Sequence, residues 1–432
     1  MRYIINTLGC KVNQYETQAM ETILRSHGHE PAKSGERADA VIVNTCAVTA
    51  ESGRKSRQLI RRLRDENPDA VLAVCGCYSQ IDADEAEKLG AGVIFGAADR
   101  TKLVEAVERA VISGEGMRCI DEPFKRRDFE YLPAGAVSGR TRAMLKIQDG
   151  CVNFCTYCII PYTRGRLRSL PIETAREETR RLAAEGYREL VLTGIEVAAY
   201  GVDLPGKPTL ADVILAVAEE SGDMRIRLGS LEPTVITEDF CQRLSGTGKL
   251  CRHFHLSLQS GCDRTLKRMN RKYDTARFFE SVTLLKRYFP GVALTADLIT
   301  GFPGETEADH AETLRFIEQC GFMDMHVFPY SRRPGTPADK LPEQCSNALK
   351  ARRAHEAQQV AEKMHSDFLR GFVGKTLPVL FETPEDGFSV GHSDNYIKVK
   401  LRGADLRGRL EMVNITEADG DALLGELDSA VE

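Results

Sequence analysis

The 432-residue chain has no apolar run near the roughly 20 residues of a membrane span. Its first residues, MRYIINTLGC, lack the basic, apolar and small-residue succession of a secretory signal. There is no excess of positive charge either. Lys plus Arg number 58 against 63 Asp plus Glu, for a net charge of −5, so any contact with nucleic acid must come from a local patch. A soluble, cytosolic chain without a membrane partner is expected. Thirteen cysteines, an odd number, argue against a disulfide framework in such a chain. What is present is a 42% hydrophobic composition, enough for several cores, in a length that suits two or three domains.

One further absence poses the central question. The stretch DGCVNFCTYCIIPYTRG holds Cys151, Cys155 and Cys158 in a C-x3-C-x2-C spacing, with no fourth cysteine or histidine nearby. A structural zinc site wants four closed ligands. An iron–sulfur cluster takes a tight run of thiolates, and three thiolates on four irons leave one iron open to a substrate or cofactor. The alternatives are a zinc knuckle or unrelated cysteines.

Residues 1–122 alternate short apolar runs with amphipathic charged stretches, which predicts a parallel sheet covered by helices. Cys10, Cys46 and Cys77 each fall at the end of an expected strand. Such sheets carry function on the loops at the carboxyl ends of their strands, so three thiols there can converge, although any one alone would read as core. Cys75 reads as core. Residues 123–138 read as a linker, being rich in charge, proline and glycine. Residues 139–366 resume a βα rhythm that predicts a whole or partial βα barrel. Residues 367–432 alternate apolar and polar positions between turns, as in a small all-β unit. The fold class is α/β.

The cysteine loop resembles that of the radical S-adenosylmethionine (SAM) enzymes. The segments LTGIEV, GSLEP, LSLQSG, TADLITGFPGE and VFPYS resemble strand ends of that family's barrel. The resemblance implies SAM contacts at Tyr157, Gly194, Glu196, Ser230, Glu232, Ser257, Gln259 and Asp297. For Glu232 and Asp297 a helix cap or an arginine pair is the competing reading. The whole chain resembles the methylthiotransferase branch. TLGCKVNQYE, NTCAVT and GCYSQ match its three cysteine motifs in order. The resemblance implies an N-terminal methylthiotransferase domain, a radical SAM barrel and a C-terminal TRAM domain. It also implies two 4Fe-4S clusters, one on Cys151, Cys155 and Cys158 and an auxiliary one on Cys10, Cys46 and Cys77. Two SAM molecules are then used: one methylates a sulfur on the auxiliary cluster, the other supplies the radical that abstracts hydrogen from the substrate. An electron donor such as flavodoxin or ferredoxin, and a sulfur donor, are the implied partners.

Within that family the LGCKVNQYE form resembles the branch acting on threonylcarbamoyladenosine in tRNA. The other branches act on isopentenyladenosine in tRNA and on a ribosomal-protein aspartate. From a different class, an electron carrier or an RNA-binding scaffold would need no SAM pocket. For RNA contact, Arg54, Lys55, Arg57, Arg61, Arg62 and Arg64 crowd one predicted helix, which also reads as a solvated face. Arg164, Arg166 and Arg168 after the cysteine loop, and Arg332 and Arg333, are candidate partners for phosphate or a threonyl carboxylate, with structural ion pairs as the alternative. From Asp367 on, seven basic residues face thirteen acidic ones, which sets that unit against RNA except around Lys398, Lys400 and Arg402. Cys119, Cys241, Cys251, Cys262, Cys320 and Cys345 read as packing residues.

Overall fold

The computed structural model describes residues 1–133, 141–403 and 405–428. Six strands open the chain: β1 (Arg2–Thr7), β2 (Glu30–Pro31), β3 (Ala40–Thr45), β4 (Val71–Gly76), β5 (Val93–Phe95) and β6 (Met117–Cys119). They form one all-parallel sheet in the order β2-β1-β3-β4-β5-β6. The helices between them are α1 (Lys11–Ser26), α2 (Ala50–Glu66), α3 (Cys77–Ile81), α4 (Ala83–Lys88) and α5 (Arg100–Ser113). Two apolar clusters cover the two faces of the sheet, as a buried parallel sheet requires. Cys75 lies in one of them and Cys77 in the other. The strand stops between them at Gly76, whose φ of 105° reverses the chain. A Cβ there would come within 2.4 Å of the Thr45 carbonyl oxygen.

The expected linker is no free strap over its described part. Arg126 binds Asp121, Gln80 and the Thr163 carbonyl, and the buried Leu132 accepts a hydrogen bond from the Tyr15 hydroxyl. Its remaining residues, 134–138, lie outside the described residues.

A partial barrel follows. Its strands are β7 (Arg142–Asp149), the two-residue β8 (Arg168–Ser169), β9 (Glu189–Gly194), β10 (Arg225–Leu228), β11 (His253–Gln259), β12 (Ala293–Thr300) and β13 (Asp324–Pro329). They make a four-stranded and a three-stranded sheet, joined edge to edge by the parallel bridges Ile226–Leu250 and Leu231–Leu256. The helices are α6 (Ile160–Arg164), α7 (Ile172–Ala184), α8 (Leu210–Glu220), α9 (Glu238–Ser245), α10 (Asp263–Arg268), α11 (Thr275–Tyr288), α12 (Glu307–Cys320) and α13 (Asn347–Arg370). Strand alternation sorts the side chains. Leu145, Leu192, Ile226, Leu256, Leu298 and Met325 pack into the core beneath the helices. The residues between them, among them Lys146, Glu189, Arg227, His255, Asp297 and His326, face a polar lumen.

The expected boundary at 366 falls inside α13, which runs unbroken for 24 residues from its Ser346 cap. The last unit begins at β14 (Thr376–Glu385) and continues through β15 (Phe388–Ser393), β16 (Lys398–Arg402), β17 (Leu410–Asp419) and β18 (Ala422–Leu427). These close into a barrel in the order β14-β15-β16-β18-β17 around an apolar core.

Candidate active site

Cys10 caps the N-terminus of α1, Cys46 follows β3, and Cys77 opens α3. β1, β3 and β4 are adjacent in the sheet, so three thiols far apart in sequence meet at one edge. Cys10 and Cys77 sit at helix N-termini, and Cys46 lies three residues before the Thr49 cap of α2. Cys10 is exposed, yet the protein around it desolvates the thiol and pushes it up to about 11, with Cys77 and Cys46 adding to the rise. The other two cysteines thus lie within electrostatic range of it. Asn13 ties the edge together. Its amide donates to the Leu8 and Thr45 carbonyls and to Asn44, while its Oδ1 accepts from the Cys10 thiol at 3.4 Å and from Arg164 at 3.3 Å.

The second thiol set lies in the loop after β7. Gly150 starts that loop at φ 80°, and a Cβ there would meet the Arg166 carbonyl oxygen at 1.8 Å. Cys151 and Cys155 are buried and Cys158 is half-buried. Burial pushes the Cys151 and Cys158 thiols up to about 12, and the neighbouring cysteines of the loop add to it. Arg271, which the sequence did not single out, donates from Nη1 to the Cys155 sulfur at 3.2 Å. Its other nitrogens hold Glu232 at 2.9 Å and the Tyr273 hydroxyl at 3.1 Å. Among the described residues no three His, Cys, Asp or Glu side chains are spaced for a single metal ion. Thiolates of a multi-iron cluster each hold a different iron and so stand farther apart. Both sets suit such a cluster in donor type and number. The sets are also near one another, since Cys77 lies within electrostatic range of Cys158.

Of the residues expected to touch SAM, Glu196 and Glu232 converge. Asn153 donates to both, at 3.0 and 3.3 Å. Burial, then Glu232, push the Glu196 carboxyl up to about 7, against the pull of Arg271 and Asn153. Gln148 receives the Glu196 backbone amide at 2.7 Å and so fixes its place. An ammonium group set beside this pair of carboxyls would hold both ionised. Gly194 acts through its missing side chain: a Cβ would press to 2.8 Å on the Gln148 carbonyl. Tyr157 packs edge-on against Phe302, and Ser230 is exposed at its strand end. Ser257 lies within a bulge of β11 that ends at Gln259, whose φ is 64°. Asp297 faces the lumen and pairs with His255 at 3.3 Å.

The candidate arginines separate. Arg164 and Arg168 are buried and belong to the framework. Arg164 pairs with Glu16 and Asp149, and Glu16 pairs in turn with the buried Arg100 at 3.1 Å. Arg168 donates to the carbonyls of Arg164 and Arg166 and lies 3.6 Å from Asp149. Arg166 is exposed and bound to the Phe124 carbonyl, and Arg332 is exposed and paired with Asp339 at 2.6 Å. Arg333 is half-buried against α2, within electrostatic range of Cys46 and Arg57. On α2 itself, Arg54 and Arg62 pair with Glu51 and Glu66, and Arg64 holds three backbone carbonyls.

Comparison with known proteins agrees with this layout. Residues 145–317 match the model of the radical SAM superfamily, and residues 2–96 match an uncharacterized protein family, UPF0004. The chain is 38% identical over 420 residues to the threonylcarbamoyladenosine tRNA methylthiotransferase MtaB of Bacillus subtilis, covering 96% of this chain and 93% of that one. It is 35% identical to the Thermotoga maritima protein of the same name, over 92% and 91% of the two chains. A tRNA-2-methylthio-N(6)-dimethylallyladenosine synthase of Marinomonas is 34% identical over 99% and 97%. Among solved structures, the radical SAM methyltransferase TsrM of Kitasatospora setae superposes with a TM-score of 0.58 at 15% identity, over 89% of this chain and 79% of that one, a likeness of fold. The chain belongs to the radical SAM methylthiotransferases.

Proposed function

We propose that the chain methylthiolates C2 of N6-threonylcarbamoyladenosine at position 37 of tRNA, beside the anticodon. The reading is carried by two three-thiol sets beside one polar lumen, in a chain 38% identical over 420 residues to an enzyme named for that nucleoside. The clusters and SAM, when bound, supply the carbon radical that an unactivated ring C–H bond demands. The chain supplies placement. Cys151, Cys155 and Cys158 hold the cluster that receives SAM, and Glu196 and Glu232 receive its amino group, with Asn153 bridging the two carboxyls and Arg271 pairing with Glu232. Cys10, Cys46 and Cys77 hold the auxiliary cluster, and Asn13 and Arg164 keep that edge rigid. Residues 1–122, 139–366 and 367–432 divide these tasks, with the last acting as a TRAM unit against RNA, and the work is cytoplasmic, where the tRNA is. Arg166, exposed after the cysteine loop, and Arg333, near Cys46, take the substrate. An electron donor and a sulfur donor recharge the two sites.

The test is an anaerobic assay of reconstituted protein with SAM, a reductant and tRNA lacking the methylthio group, read by nucleoside mass spectrometry. A methylthio gain on threonylcarbamoyladenosine is expected. A gain on isopentenyladenosine alone, or 5′-deoxyadenosine release with no nucleoside gain, would overturn the substrate assignment.

A further inference from the structure

The lumen encloses a cavity of about 640 Å³ between the partial barrel and the C-terminal barrel, within the size range of small-ligand sites. Five of the nine histidines line it: His253, His255, His326, His365 and His392. Its floor is closed by Tyr396, which stacks between His253 at 4.9 Å and His392 at 4.8 Å. The guanidinium groups of Arg227 and Arg142 lie 4.7 and 5.3 Å from the same ring. Into this cavity reaches Lys11, the residue after Cys10.

We infer that this floor is an anion receptor, in which the Lys11 ammonium takes a carboxylate carried on the acceptor base. The inference rests on the substrate reading above and names the residue that recognises the threonyl carboxylate. Three observations carry it. First, Lys11 is exposed on the wall of this cavity and makes no ion pair or side-chain hydrogen bond among the described residues. An unpaired ammonium takes a ligand anion without breaking an existing ion pair. Second, the corner around it holds more cations than carboxylates. Lys11, Arg142, Arg225 and Arg227 face Glu189 and Glu382, and Glu189 alone is shared by all three arginines. Third, a buried imidazole of the floor is idle on one side. His253 binds Thr295 through Nε2 at 3.0 Å, and its Nδ1 has no partner. The acids that line the cavity, Asp324, Glu362 and Asp421, lie on β13, on α13 and in the turn between β17 and β18, and Lys398 is its second lysine. Lys11 also follows Cys10 directly, so the receptor and the auxiliary thiol set share the start of α1.

The experiment uses the reconstituted full chain and anticodon stem-loop RNAs that differ only at position 37: adenosine, threonylcarbamoyladenosine, or its methyl ester, which lacks the charge. Dissociation constants are measured by fluorescence anisotropy for wild type, Lys11→Met and Lys11→Arg. Wild type is expected to bind the free-acid RNA about tenfold to a hundredfold more tightly than either neutral RNA. Lys11→Met should bring the three within about twofold, and Lys11→Arg should restore most of the preference. Equal binding of acid and ester by wild type, a comparison that needs no variant, overturns the inference. So does a full preference retained by Lys11→Met. If wild type adds no methylthio group to the free-acid RNA, the substrate reading falls and the inference with it. A normal gain with either of the two binding results above overturns the inference alone.

Discussion

The two thiol sets have the same number of donors and opposite origins. Cys151, Cys155 and Cys158 lie in one loop of eight residues, so their spacing is written into a local backbone path. Cys10, Cys46 and Cys77 come from three loops and meet only because β1, β3 and β4 are neighbours in one sheet. A local site survives wherever its loop is held. An assembled site is as stable as the fold that assembles it. For the auxiliary set that fold is fastened through Glu16, a fully buried carboxylate between Arg100 and Arg164. Arg164 follows the cysteine loop, so the same ion network anchors both sets.

The sharpest break between the two comes from their cysteines. Cys151→Ala should abolish 5′-deoxyadenosine release from SAM, whereas Cys46→Ala should retain release and lose the methylthio nucleoside, both read by mass spectrometry. Identical behaviour would end the division of labour. Next is Glu16→Gln, which leaves two buried arginines short of a partner and should cost about 3–5 kcal/mol in denaturant unfolding. The loss should appear first as iron missing from the auxiliary set. Burial alone would raise the Glu16 carboxyl, but the two arginines hold it at about 2 against an ordinary value of 4.5. Its contribution is therefore complete above about pH 4.5 and fades as pH falls toward 2, a slope that Glu16→Gln should lack.

Arg271→Gln touches the loop set alone. Removing a cation that donates to the Cys155 sulfur should move the cluster's reduction potential to more negative values, read by an EPR-monitored titration. SAM cleavage should slow by about tenfold to a hundredfold, as outer-sphere changes at metal sites do. The smallest effect separates two cysteines only two residues apart. Cys75→Ala, on the far face of the sheet from Cys77, should lower stability by about 1 kcal/mol and leave both products.

The strands and the major helices were legible because their apolar periodicity is strong, and the cysteines because their motifs are specific. The partners of buried charges were not. Arg164 reads in sequence as a substrate cation after the cysteine loop, yet its partner Glu16 lies 148 residues earlier on α1. Arg271 carries no local signal, since its contact with Cys155 spans 116 residues. The boundary at 366 follows the change from helical to alternating pattern, while α13 is capped only at Gly371, five residues later. Lys11 hid within a cysteine motif, its role set by a cavity that three parts of the chain enclose.

The place of Tyr396 has a consequence for how such enzymes can be rebuilt. The C-terminal barrel supplies the floor of the lumen, through a side chain wedged between two imidazoles and beneath two guanidinium groups. It is thus not an appendage that can be exchanged at will for another β module. A chimera with a foreign C-terminal unit would inherit an unplugged barrel, open to water at the end away from the cysteine loop. Grafting new RNA specificity onto this scaffold must therefore carry the tyrosine and its two stacking partners along as one piece.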